Sequence, residues 1–284
     1  METFYIEYTI ENNYEKPVKK ANFGLLILPA KNPFQTIKEQ SMCCSDGKES
    51  FISPNIFGFD LITHYIDKPF TRFLFKLFAT VEVKKLNPFQ ITTLSPLEEF
   101  AIITSVDYQI DNHLFLTSTS LTKMPWNHGI WFPVYRSEQS LFDYLLELNN
   151  FIYKLLSYSP QSTNVDTPIE EVLKIKKGVC QDFAHVFISV CRENKIPARY
   201  VSGYLIQGDA YIGASQLHAW VEVLIPELGW VGFDATNNLL VDNNYIKIAH
   251  GTDYRDCSPI VGVLETAGQQ NSKHLVIVKN QQQQ

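Results

Sequence analysis

The sequence has no stretch approaching ~18 consecutive apolar residues, so nothing in it reads as a membrane-spanning helix. Basic residues come singly or in short pairs and the net charge is -6, so nucleic acid is not expected as a partner. The opening residues, METFYIEYTIENN, lack a basic segment followed by an apolar run, and no secretory signal is expected there. The five cysteines, Cys43, Cys44, Cys180, Cys191 and Cys257, form no CxxC and no Cys/His zinc spacing. Neither a structural zinc site nor a redox pair is therefore expected, and no metal or cofactor is called for. An odd set of thiols without a pairing framework suits a reducing compartment, so the expected location is the cytoplasm. Charged residues at 19% and apolar residues at 45% exclude a disordered chain.

What is present falls into two patterns. Residues 1–125 read as a β-rich, sandwich-like domain. Phe4, Ile6, Tyr8 and Ile10 alternate with polar neighbours, the period of a half-buried strand. Further strands are expected from Asn22 to Leu28, around Phe57, Phe59 and Leu61, from Thr71 to Val83, from Ala101 to Tyr108 and from Leu114 to Thr119. Cys43 and Cys44 read as two thiols near a turn, and His64, His113 and His128 as structural or surface residues. Trp126 and Trp131 are expected to pack where this domain meets the next.

From residue 135 to 284 the chain reads as a second domain, with helices first and antiparallel strands after, so the fold class is α+β. Leu141, Leu145, Leu148, Ile152 and Leu155 recur at three- and four-residue steps, which predicts a helix ending before Ser159-Pro160. Thr167-Pro168-Ile169-Glu170 predicts a capping box, and Gly178 the left-handed end of the helix that follows. Cys180 opens another helix with the apolar stripe Phe183, Val186, Phe187, Val190 and Cys191, running to about Asn194. Strands follow at 198–206, 217–225, 229–234, 245–249 and 274–278, and the glutamines at 281–284 read as a frayed tail.

A thiol becomes a strong nucleophile when ionised, and a helix N-terminus or a neighbouring imidazolium ionises it. Cys180 has the first by its position. His218 and Asp234 supply an imidazole and a carboxylate downstream. A five-residue hairpin tip, Ile225 to Gly229, sets Leu224 opposite Trp230 and puts Asp234 on the face of His218, one diagonal step away. A four-residue tip separates them onto opposite faces. Asp182 reads as a first-turn helix charge or a partner for a basic group, and His185 as structural.

The segments GVCQDFAHVFISVCRENKIPARYVSGYL, LHAWVEVLIPELGWVGFDATN and HGTDYRDCSP resemble, in that order, the bacterial branch of the transglutaminase-like superfamily, cysteine enzymes with a papain-like fold. The resemblance covers roughly residues 135 to 265. It implies Cys180 as nucleophile, His218 as base and Asp234 as orienter, acting on a peptide or protein amide; no EF-hand-like Asp/Asn/Gly loop appears, so calcium is not expected. It further implies hydrolysis, with transamidation to an amine, a deglycosylating amidase and a non-catalytic peptide-binding module as the alternatives. The zinc-binding cysteine pairs of deglycosylating amidases are missing. Leu217, Ala235 and Thr252 depart from the small polar residue, the proline and the arginine common at those places. For the side-chain oxyanion donor, Lys174, Gln181 and Tyr204 are the candidates.

Overall fold

The computed structural model describes residues 1–46, 48–85, 87–89, 92–126, 129–206, 212 and 217–280. His128 and the tail at 281–284 lie outside the described residues. Six strands come first: β1 (Glu2–Val18), β2 (Ala21–Leu25), β3 (Gln35–Cys44), β4 (Phe51–Pro54), β5 (Asp60–Ile66) and β6 (Phe70–Val83). Helices α1 (Pro96–Thr104), α2 (Val106–Asp111), α3 (His113–Leu116) and α4 (Leu141–Leu155) follow. Then come β7 (Ser157–Tyr158), α5 (Ile169–Ile175), β8 (Lys177–Gly178) and α6 (Cys180–Glu193). The chain ends in β9 (Ala198–Leu205), β10 (His218–Ile225), β11 (Gly229–Asp234), β12 (Leu239–Leu240), β13 (Tyr245–Gly251), β14 (Ile260–Leu264) and β15 (Gln270–Asn280).

Two antiparallel four-stranded sheets, ordered β15-β1-β6-β3 and β14-β2-β5-β4, form the β-rich part. Period-two alternation buries Phe4, Ile6, Tyr8 and Ile10 of β1 on one face. Phe23 of β2 stacks on Phe73 of β6 with centroids 4.2 Å apart, so the two sheets meet face to face. The last two strands leave the α+β part and hydrogen-bond to β2 and β1, so strand pairing ties both ends of the chain together.

The α+β part is built on the sheet β12-β11-β10-β9-β13, with α6 packed on it. Every residue of α6 from Gln181 to Arg192 is buried, the polar Gln181, Asp182, His185, Ser189 and Arg192 along with the apolar stripe. Near its end the buried Arg192 donates to the carbonyls of Phe115, Ala198 and Thr252 and to Thr122 Oγ1, tying loops on both sides to the helix. Gln35 joins the two parts: its amide donates to the Ala30 and Lys247 carbonyls and accepts from the Lys247 N–H.

Several local expectations are overturned. Residues 101–108 and 114–119 lie in helices or their connections, not in strands. Ser95 caps α1, Glu98 returns the bond to the Ser95 N–H, and Pro96 stands at the helix start, which outweighs the β-like composition downstream. Phe57 sits in a turn held by the Asn55 side chain. The Thr167 hydroxyl accepts from the Asn164 N–H instead of capping α5, which starts after Pro168. That helix ends at Lys176, with φ 53°, and Gly178 pairs in the short parallel β7–β8 ladder. Trp126 and Trp131 are 98% and 94% exposed and pack against neither part.

One glycine follows from close approach. A Cβ on Gly203 of β9 would stand 2.3 Å from a ring carbon of Trp220 and 2.4 Å from the Ile246 carbonyl oxygen. Gly203→Ala is expected to cost about 1–3 kcal/mol by overpacking, read as a lowered denaturant midpoint. An unchanged midpoint would show that the ring and strand β13 yield freely.

Candidate active site

The β10–β11 hairpin carries two of the three residues singled out by the sequence. Its register pairs Leu224 with Trp230 and Ile225 with Gly229, the five-residue tip that places Asp234 on the His218 face. His218 Nε2 and Asp234 Oδ2 are 2.8 Å apart, and both side chains are fully buried. His218 is thus shielded from solvent despite its place in a strand that also carries Glu222. Ala219, Val221 and Val223 point into the main core, whereas Trp220 joins Val201, Leu205 and Tyr245 in a small separate cluster. Trp220 lies nearly parallel to the His218 ring, at 6.5 Å between centroids.

Asp234 is held by more than the histidine. Its Oδ2 also accepts from the Tyr245 hydroxyl and the Asn237 amide, both at 2.8 Å, and its Oδ1 accepts from the Thr236 N–H at 2.9 Å. Burial alone would raise this carboxyl, but His218 and the other donors outweigh it and hold it below the usual carboxylate range. For His218, burial alone would lower the imidazole. The Asp234 carboxylate and the Cys180 thiol prevail and raise it to about 10. Tyr245 and Asn237 had no mark in the sequence reading. Asn237 could have been suspected from its place in the turn directly after Asp234, but Tyr245 arrives from β13, two strands away from β10.

Cys180 is the first residue of α6 and is half-buried, whereas Cys191 and Cys257 are fully buried and burial pushes both thiols up. With Nε2 of His218 on Asp234, Nδ1 is left for the thiol, and no other group in the described residues bonds it. The interaction with Cys180 is felt in the raised imidazole, although no hydrogen bond of ordinary geometry closes on Nδ1. Loose contacts of this kind are common before substrate binds.

Asp182 shapes the start of the helix. Its Oδ2 accepts from the Val179 N–H at 2.7 Å and from the Thr163 hydroxyl at 2.6 Å, and no cation meets it among the described residues. Burial raises its pKa against those two bonds. A Cβ on Gly178 would collide with Asp182 at 2.6 Å, so the glycine lets the carboxylate fold back. The N–H groups of Asp182 and Phe183 reach the Val179 carbonyl, which leaves those of Cys180 and Gln181 without an acceptor among the described residues. Tyr158, Tyr200 and Tyr254 lie close enough for the Cys180 charge to raise their hydroxyls further, after burial.

The remaining candidates are placed elsewhere. Gln181 donates to the Val165 carbonyl, Tyr204 to the Ile27 carbonyl, and Lys174 is exposed, so no side-chain oxyanion donor emerges from the three. His185 accepts from the Tyr254 N–H, and burial drives its pKa down to about 3. Thr252 presents its carbonyl to Arg192 and binds Asp256. A cavity of about 610 Å³ lies between the 29–34 and 57–60 segments and the Arg199–Glu222–Lys247 cluster, but Cys180, His218 and Asp234 do not line it. Its volume is therefore not evidence for a substrate channel at the thiol.

Residues 132–235 match the family model of the transglutaminase-like superfamily. An uncharacterized protein of Mycobacterium tuberculosis is 38% identical over 154 residues, covering 51% of this chain and 48% of that protein. The chain thus spans about half the length of that mycobacterial relative. A protein-glutamine gamma-glutamyltransferase of Pseudomonas aeruginosa is 33% identical over 97 residues, 31% of this chain and 14% of that protein. A crystal structure of a candidate cysteine protease from Cytophaga hutchinsonii shares the fold, with TM-score 0.77 and 22% identity over 99% of this chain and 91% of that one.

The His218–Asp234 pair makes stability depend on pH. His218 binds its proton up to about pH 10 folded and only to ~6.5 unfolded, so its contribution is full below ~6.5 and gone above about 10. Asp234 works in the opposite sense: its contribution is present above ~3.9 and lost as pH falls through its lowered value. The unfolding free-energy difference between wild type and His218→Ala is expected to shrink steadily from pH ~6.5 to ~10. A difference that stays constant across that window would contradict the coupling. Tyr245→Phe removes one bond to the buried carboxylate and is expected to cost about 1.5–3 kcal/mol, measured at neutral pH.

Proposed function

We propose that this transglutaminase-like chain is a cysteine-nucleophile acyl-transfer enzyme that hydrolyses a peptide or protein amide bond. The observation that carries the reading is a half-buried thiol at a helix start beside an imidazole whose far nitrogen is fixed on a buried carboxylate. The proposed acyl-transfer unit lies within the 135–284 segment, with the β-rich sheets, which β14 and β15 complete, as its support.

In the proposed cycle the proton of Cys180 already rests on His218, and the thiolate attacks the amide carbonyl carbon. The oxyanion sits against the free N–H groups of Cys180 and Gln181 at the helix start, where the helix dipole favours negative charge. His218 then gives its proton to the leaving nitrogen, the C–N bond breaks, and a thioester remains. Water attacks the thioester with His218 as base, releasing the carboxylic acid and the thiol. Asp234 keeps the ring in one orientation throughout and stabilises its charged form.

A second reading changes only the acceptor. If a primary amine resolves the thioester, the product is a new amide, the reaction named for the Pseudomonas aeruginosa relative. Resemblance to bacterial cysteine enzymes favours water. The unpaired cysteines suit a reducing cytoplasm, and among the described residues no helix is long and apolar enough to cross a membrane.

The test is turnover of a glutamine-containing peptide library, followed by mass spectrometry with and without an added primary amine. Cys180→Ala is expected to lower the rate by about a thousandfold or more. A glutamine converted to glutamate, or a peptide cut at an amide, without added amine supports hydrolysis, and amine-bearing products support transamidation. Equal turnover by wild type and Cys180→Ala, or none by either at any amide, favours a peptide-binding module.

A further inference from the structure

Outside the proposed active site, a second cysteine, histidine and aspartate come together in the β-rich part. Cys44 ends β3, Asp46 follows in the adjoining turn, and His64 lies in β5, so two come from one sheet and one from the other. Cys44 Sγ stands 3.2 Å from His64 Nε2, and the two Asp46 oxygens stand 3.1 and 3.2 Å from the same nitrogen. The donor atoms of the three residues lie within 4.8 Å of one another.

The geometry is unlike that around His218. There the ring nitrogens serve different partners, as a base and its orienter require. Here one nitrogen, Nε2, faces both the thiol and the carboxylate, so His64 cannot pass a proton from one to the other through its ring. Its Nδ1 is held instead by the Ser50 hydroxyl at 2.8 Å. A fixed far nitrogen with the near nitrogen, a thiol and a carboxylate converging on one point is the arrangement of a metal-binding histidine and its supporting partner.

We propose that Cys44, Asp46 and His64 form a divalent-metal site suited to Zn²⁺, clasping the two N-terminal sheets. Zinc takes sulfur at about 2.3 Å and nitrogen or oxygen at about 2.0–2.2 Å, so ligands sharing one tetrahedral ion stand roughly 3.2–3.6 Å apart. The observed separations already approach that range. Lys48 N–H binds Asp46 Oδ1, which leaves Oδ2 as the ligand oxygen. The His64 side chain is fully buried while that of Asp46 keeps 19% exposure, so an ion has a buried anchor and an open side for entry and a fourth, water ligand. No zinc expectation arises from the sequence because one and seventeen residues separate the successive ligands, matching no short paired pattern.

The probe is Co²⁺, titrated into the 284-residue chain carrying Cys180→Ala so that the other half-buried thiol cannot contribute. One equivalent is expected to produce a thiolate-to-cobalt charge-transfer band, bleached by Zn²⁺, retained in Cys43→Ser and lost in Cys44→Ser and His64→Ala. Ser50→Ala is expected to weaken binding about 10–100-fold while keeping the band. Asp46→Asn, at a partly exposed position where folding is not at stake, is expected to weaken it as well. No band, a band that survives Cys44→Ser, or an affinity indifferent to both Ser50→Ala and Asp46→Asn would overturn the proposal.

Discussion

Everything at the candidate active site depends on a charged pair kept out of water: the Asp234 carboxylate against His218 Nε2, both fully buried. An unpaired buried carboxylate would be costly, and here the tyrosine hydroxyl, the asparagine amide and a backbone N–H meet it besides the imidazole. The pair in turn decides which ring nitrogen remains for Cys180. The orientation and protonation of the imidazole and the nitrogen it offers to the Cys180 thiol are thus consequences of one contact.

The rest of the fold can be understood as what delivers that contact. The five-residue hairpin tip sets the strand register, Gly203 leaves room for Trp220 beside the histidine, and β13 brings Tyr245 across. Gly178 and Asp182 shape the turn from which Cys180 starts a helix buried along nearly its whole length. The β-rich sheets hold this arrangement from outside, through Gln35 on the β13 backbone and through the C-terminal strands that return to β1 and β2.

Much of this was legible in the sequence where local rules act alone. The Cys180 helix and its end at Asn194, the three strands after it and the hairpin register were readable because apolar period and turn length determine them. The helices between residues 96 and 116 run against a β-rich composition because Ser95-Pro96-Leu97-Glu98 is the stronger local signal. At Gly178 close packing against Asp182, rather than a left-handed turn, requires the missing side chain, and no local spacing signals it. Tyr245 on Asp234 and Ser50 behind His64 were invisible, since each contact is created by sheet pairing and has no fixed spacing along the chain.

The most direct test of the central claim is the rate at which iodoacetamide alkylates Cys180, resolved by peptide mass spectrometry from pH ~4 to ~9, in wild type and His218→Ala. A thiolate held by imidazolium labels quickly well below the ordinary thiol value of ~8.5, and the substitution slows it there. A rate that rises only near that value and is the same in both proteins would contradict the account.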